Sequence, residues 1–373
     1  MSVRVLHVAD MHLGRSFTYL GDVAAVRRRD LAGTFARICA IAVERQVAAV
    51  LIAGDLFDSF NPSRAMVELV QTQLGHLQAE GIKAFIVPGD HDTSWYERSV
   101  FRTTAFPGAH IFIHPVFDDP QQFEADGVTC VVHGIAHNPM ACPDPLQTLR
   151  PVDGALNLAI LHATVDAVEG VEEDSYLPVS RQDLSQPGLH YIALGHAHAR
   201  AVYEHAGNVV AAYPGGPESL RPEETGERYV AIVEFSGESP VIEWIPMHGR
   251  EARIERVNVT GCDEQDVIRK LHSMASDNLL LTAHLVGYPR AVLSLDRIQR
   301  ALAGAFFWLE IDDHTRLSSS DLGERVAGEA AISGRFVQML RRRIAATSDT
   351  QERLELEHAL KEGLVALGIR NVT

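Results

Sequence analysis

The first two thirds of the chain alternate continuous apolar runs with stretches whose apolar positions recur every three or four residues. VRVLHVA (3–9), AAVLIAG (48–54) and KAFIVPG (83–89) are runs of the first kind, each closing on Gly or Asp. Runs this short, rich in Val and Ile, predict buried strands. Between them, residues 23–45 and 63–80 carry helical periodicity, with Pro62-Ser63 as the start signal of the second. Strand, helix, strand in this order implies βαβ units and a parallel sheet, so the fold class is α/β. Further strands are predicted at 128–134, 156–163, 191–197, 209–213, 228–235 and 240–246. Those after residue 200 follow one another closely, as hairpins do, which makes the sheet mixed.

The texture changes near residue 250. Segment 251–312 reads strand, helix, strand, helix, strand, through RIERVNV, EQDVIRKLHSM, LLLTAHLVG, LDRIQRALAG and FFWLEID. From about 321 to 369 the pattern is helical, and ERLELEHALKEGLVAL is amphipathic with a charged outer face. The expected domains are therefore 1–250, a small α+β unit over 251–320, and a helical tail over 321–373.

Composition narrows the class without deciding function. With 373 residues, 46% of them hydrophobic and 22% charged, the chain has ample material for a globular core. No run approaches the roughly 20 apolar residues that span a bilayer, so no membrane association is expected. MSVRVLHVAD enters a strand at once, leaving no room for a signal peptide. Cys39, Cys130, Cys142 and Cys262 are scattered without a C-x-x-C spacing, so neither a zinc knuckle nor a disulfide framework is indicated. A cytoplasmic location fits. A net charge of −16 argues against nucleic acid at first sight. Metal-binding carboxylates count in that figure, however, and basic triplets at 27–29 and 341–343 are hidden by it. Taken singly, those triplets read as solvated helix faces.

The chemistry lies at the strand ends. Asp10 and His12 follow the first strand, Asp55 and Asp58 the second, and Asp90, His91 and Asp92 the third. His162 ends LNLAILH, and His196 and His198 follow YIALG. In open α/β sheets the C-terminal ends of strands form the rim where ligands bind. Each piece has an ordinary reading: a capping Asp for Asp10, an exposed strand end for His196 and His198, satisfied structural residues for His7, His133, His190 and His205. Their joint appearance is different, because Asp and His recur at every end. Mixed carboxylate and imidazole donors suit Mn²⁺, Fe²⁺ or Zn²⁺. Seven ligands, one of them shared, can hold two ions about 3.5–4 Å apart for phosphoryl chemistry.

D-x-H (10–12), G-D-x-x-D (54–58), G-D-H-D (89–92), His162 and G-H-A-H (195–198) resemble, in order, the calcineurin-like metallophosphoesterase signature. ADMHLG, IAGDLFDSFNPS and YIALGHAHAR resemble the SbcD-type DNA-repair exonucleases, and ISGRFVQMLRRRI and HALKEGLVALG the YhaO branch of that family. The resemblance implies a mixed-sheet sandwich flanked by helices, with 251–320 as a capping domain and the tail as a docking element. It implies Asp10, His12 and His198 on one metal, Asp90, His162 and His196 on the other, and Asp55 bridging both. His91 corresponds to a catalytic histidine that is not a ligand. Asp58 and Asp92 stand behind the ligands, Asp58 to steer DNA or hold a water, Asp92 either to hold the His91 ring or to form the next turn. One departure is clear: the family usually has G-N-H-D, with Asn where this chain has Asp90.

The function implied is two-metal hydrolysis of DNA phosphodiesters, 3′-to-5′ exonucleolytic and endonucleolytic on single strands. Mn²⁺ is the preferred ion, His91 assists the leaving 3′-oxygen, and an SbcC-like coiled-coil ATPase is the partner, with a homodimer among the expected assemblies. Two rivals remain: a cyclic-nucleotide or small-molecule phosphodiesterase on the same fold, and a catalytically weak DNA-binding scaffold. The extension after residue 250 argues against the first, and the intact motif positions against the second.

Overall fold

Val, Ile, Leu and Ala fill the strands so completely that both faces of most of them must be covered. In the computed structural model, residues 2–136, 145–166, 176–237, 239–316 and 332–366 are described. Cys142 and part of the predicted tail lie outside them. The chain divides into two units, Met1–Leu220 with Gly226–Gly249, and Arg221–Thr225 with Arg250–Thr373.

The first unit holds two six-stranded mixed sheets. One contains β1 (Val3–Val8), β2 (Ala49–Ala53), β3 (Lys83–Val87), β4 (Ala109–Ile111), β11 (Arg228–Phe235) and β12 (Val241–Met247), in the order β12-β11-β1-β2-β3-β4. Strands β1 to β4 are parallel, and β11 joins β1 antiparallel. The other contains β5 (Gln121–Ala125), β6 (Val128–Ile135), β7 (Leu156–His162), β8 (Tyr191–Gly195), β9 (Ala201–His205) and β10 (Asn208–Tyr213), in the order β5-β6-β7-β8-β10-β9. Their facing side chains make one core: Val5, Leu51, Phe85 and Val87 from the first sheet meet Val132, Leu158, Ile160 and Tyr191 from the second. Helices α1 (Ala24–Glu44) and α2 (Arg64–Ala79) are the β1–β2 and β2–β3 crossovers, and a short α3 (Val100–Thr103) follows β3.

Three histidines are structural fixtures, His7 and His133 buried and His190 exposed. His7 donates from Nε2 to Leu194 O (3.1 Å) and accepts the Tyr191 hydroxyl at Nδ1 (3.0 Å), joining the sheets; burial pushes its pKa down to about 3. His133 and His190 both contact Asn157. The triplet at 27–29 is not uniformly solvated. Arg27 is fully buried against Glu218 (2.8 Å), because α1 turns that position inward.

The second unit carries β13 (Glu251–Asn258), α4 (Glu264–His272), β14 (Ser276–Gly287), α5 (Leu295–Ala301) and β15 (Phe306–Thr315). Its three strands are parallel in the order β13-β14-β15. Val257, Leu281, Leu285 and Ile311 face a core shared with Val267, Leu271 and Ile298 of α4 and α5. Helices α6 (Ile332–Ala346) and α7 (Thr350–Ala366) pack together through Val337, Leu340, Leu356, Leu360 and Leu364, the last three at four-residue spacing. Lys361 of α7 is buried, donates to Thr315 Oγ1 (3.0 Å) and pairs with Asp313 of β15. Among the described residues, no helix is long and apolar enough to cross a membrane.

Candidate metal centre

Two sheets, rather than one, deliver the polar strand ends. Asp10, Asp55 and Asp90 follow β1, β2 and β3 of the first; His162 ends β7, and His196 follows β8, of the second. The loops after β1 and β2 run side by side: Asp10 N–H donates to Gly54 O (3.2 Å), His12 N–H to Asp55 O (2.9 Å) and Asp58 N–H to Leu13 O (3.1 Å). Asp10, His12, Asp55 and His196 all have left-handed backbone, with φ of 55°, 47°, 49° and 102°. That conformation costs an L-residue roughly 1–2 kcal/mol, and it collects where function demands it.

The glycines of the motifs make room. A Cβ at Gly54, whose φ is +89°, would sit 2.1 Å from His162 Nδ1. One at Gly89 would sit 2.1 Å from Asp55 Oδ1. Each Gly-Asp pair thus lets the backbone pass directly against a candidate ligand.

Donor atoms of Asp10, His12 and His198 lie within 4.8 Å of one another, as do those of Asp90, His162 and His196. Asp55 lies between the two groups, with Oδ2 3.3 Å from His12 Nε2 and 3.8 Å from His162 Nε2. Its Oδ1 accepts the His91 backbone N–H (3.1 Å). The His91 ring is half-exposed, edge-on to His12 at 4.5 Å, with Nδ1 3.8 Å from Asp58 Oδ1 and Nε2 3.8 Å from Asp90 Oδ2. The His196 backbone N–H donates to Asp10 Oδ1 (3.0 Å), which ties the two sheets together at the rim.

The donor set fits metal ions. Asp10, His12, Asp55 and His162 are all at least 97% buried, and charges so placed need a partner. His12 Nδ1 is 3.0 Å from Asp58 Oδ1, and its Nε2 is buried without a hydrogen bond, although 3.3 Å from Asp55. Burial lowers the His12 pKa, which favours the neutral form whose Nε2 can coordinate. A carboxylate behind an imidazole fixes such a ring for coordination. His162 Nδ1 donates to Ala53 O (2.9 Å), which turns Nε2 toward Asp90 Oδ1 (2.9 Å).

The electrostatics are those of crowded carboxylates. Burial pushes Asp55 well above the usual range; the His162 charge offsets part of this, while Asp92, Asp90 and Asp10 add to it. Burial opposes charge on His162 too, but Asp55, Asp90 and Asp10 outweigh it and push the imidazole up to about 10. Asp90 is raised by burial and lowered more by hydrogen bonds from His162 and His196, ending well below its ordinary value. Protons on these groups take the place that cations would hold.

Asp92 is fully buried and gives both oxygens to backbone, accepting from Gly89 N–H (2.7 Å) and Phe57 N–H (3.0 Å). It braces the loops after β2 and β3 against each other. Asp58 pairs with Arg15 (3.1 Å) as well as His12. Tyr176, which no sequence pattern singles out, stacks on His196 at 5.7 Å and stands edge-on to His162 at 5.3 Å.

Among curated relatives, an uncharacterized metallophosphoesterase, YhaO of Bacillus subtilis, is 29% identical over 62% of this chain and 57% of its own length. The DNA double-strand break repair protein Mre11 of Sulfurisphaera tokodaii is 25% identical over 99% of this chain and 98% of its own. The calcineurin-like phosphoesterase YfkN of Bacillus subtilis, a solved structure, aligns with a TM-score of 0.39 and 11% identity, covering 66% of this chain and 90% of that one. The family match itself runs over residues 3–200, from the first strand through the last histidine of the rim, and this chain belongs to the calcineurin-like phosphoesterases.

Proposed function

We propose that this phosphoesterase is a DNA nuclease that hydrolyses phosphodiesters with two divalent ions, Mn²⁺ by preference. The observation that carries the two-ion reading is the convergence of seven donors from five strand ends into two groups that meet at Asp55. Asp10, His12 and His198 would hold one ion, Asp90, His162 and His196 the other, with Asp55 between them. Bound ions would supply Lewis-acid stabilisation of charge on the phosphoryl oxygens.

The chain's own groups do the rest. His91 stands half-exposed beside both groups without belonging to either proposed ligand set, where its ring can hand a proton to the departing 3′-oxygen. Asp58 orients His12 and Arg15, and Asp92 keeps the His91 loop in register with the Asp55 loop. The choice of DNA, with 3′-to-5′ exonuclease and single-strand endonuclease action, is supported by similarity to the Mre11 proteins. An SbcC-like ATPase as partner and the 251–320 segment as a capping domain are parts of the same reading. The docking surface would lie on α6 and α7.

Purified protein with Mn²⁺ should cleave labelled single-stranded and duplex DNA as well as bis-p-nitrophenyl phosphate. Cleavage of the small ester alone would favour a small-molecule phosphodiesterase, and DNA binding without any cleavage a scaffold.

A further inference from the structure

A second His/Asp cluster lies wholly in the other unit. We infer that His284, Asp312 and His314 form a binding site for a single transition-metal ion of the zinc class, open on one side to a cation-lined cavity. Register puts the three together. His284 of β14 is directly opposite Asp312 of β15, and Val286 opposite His314, so the three residues share one face of the sheet. The opposite face carries Leu281, Leu285 and Ile311 into the core; on this face Leu280 and Thr282 are buried toward one end, while His284, Asp312 and His314 are half-buried or exposed toward the other.

Distances agree with a coordination shell. Zinc binds imidazole and carboxylate at about 2.0–2.2 Å, which sets neighbouring donors of a tetrahedral ion about 3.3 Å apart. His284 Nε2 and Asp312 Oδ2 are already 3.2 Å apart. All three donors fall within 4.8 Å of one another, so the His314 ring need move in by about 1.5 Å or less, the scale of a side-chain adjustment. Two imidazoles and one carboxylate with an open fourth position is a donor set this metal class accepts.

The surroundings favour a ligand over a mere cross-strand pair. Arg256 of β13 flanks His284 on the same face, yet Asp312 pairs with the imidazole and makes no ion pair with that guanidinium. Arg256 instead lines, with Tyr288, Arg316 and the two histidines, a cavity of about 470 Å³. A divalent ion on one carboxylate keeps a net positive charge. The two guanidiniums add to it, so an anion fills the open position. His284 and Asp312 are partly exposed, which leaves a path of entry.

The test uses the full chain with Zn²⁺ as probe. After equilibration and gel filtration, elemental analysis should find one ion per chain fewer in a His284→Ala/His314→Ala variant than in wild type. Asp312→Asn, which keeps the side-chain shape, should show the same loss. Both variants should hydrolyse bis-p-nitrophenyl phosphate with Mn²⁺ as wild type does. Equal zinc content in wild type and the folded Asp312→Asn protein would overturn the inference. The readout is a difference between proteins, so it stands whether the strand-end rim holds two ions, one or none.

Discussion

The two His/Asp clusters of this chain are built in opposite ways. At the rim of the first unit the donors sit on loops just past strand ends, apart from His162, the last residue of β7. Four of them are in left-handed backbone, most are buried, and hydrogen bonds from neighbouring loops fix them. In the second unit the donors sit within regular strands on a half-exposed sheet face, where ordinary register brings them together. The first arrangement accepts strain and buried charge in return for donors already in position, as catalysis requires. The second is inexpensive and adjustable, which suits capture of an ion more than chemistry on it.

Breaking the rim at its centre should have the largest effect. Asp55→Ala removes the carboxylate proposed to bridge both ions, so bound metal at the rim should be lost and hydrolysis should fall to background. If the comparison holds, elemental analysis of that variant should still find the ion of the second unit. Retention of every ion would remove Asp55 from its bridging position.

His91→Gln should separate chemistry from binding. Metal content and DNA affinity should stay at wild-type values while the cleavage rate falls on the order of 10²–10⁴-fold. Loss of metal in this variant would make His91 a ligand. A smaller effect is expected from Asp90→Asn, which restores the residue usual in the family. Calorimetric titration with Mn²⁺ should show affinity weakened about 10–100-fold, with the rate at saturation equal to or above wild type.

The smallest effect concerns the fold beneath the rim. His7 has a folded pKa of about 3, against an unfolded value of about 6.5. Above pH 6.5 both states leave the ring neutral and its full contribution is present. As pH falls below 6.5, the unfolded chain takes up a proton that the folded core refuses, and stability drops until about pH 3. Between pH 7 and pH 5 this group alone should remove about 2 kcal/mol. Urea unfolding of wild type and His7→Gln at both pH values should show the slope diminished in the variant; equal slopes would mean that His7 does not stay neutral.

The rim was legible because its grammar is local: an apolar run, then Asp or His, with a glycine between them at three of the five strand ends. Gly54 and Gly89 sit where a side chain would strike a candidate ligand, and that requirement is written one residue before Asp55 and Asp90. The strand-helix-strand order after residue 250 was equally plain, since its apolar positions alternate cleanly. What stayed hidden depends on contacts distant in the chain. Strands β4, β5 and β9 are short or polar (AHI, QQFEA, AVYEH) and lie at or next to sheet edges, where apolar pattern is weakest. Arg27 looks like its two exposed neighbours until Glu218 is brought against it from 191 residues away. Tyr176 and the brace formed by Asp92 have no periodic or motif signal at all. The cluster at 284–314 was missed for the same reason, because only strand register joins its halves.

Lys361 and Asp313 give the helical tail a mechanical meaning. Strand β15 carries Asp313 toward α7 and, on its other face, Asp312 and His314. Pulling α7 away would break the Lys361–Asp313 pair and its bond to Thr315 and return both charges to water. The helix is therefore fastened to β15 by a polar clasp as well as to α6 by its leucines. A load applied to α7 would meet β15 at Asp313, between Asp312 and His314 in sequence and on the other face of the strand from them.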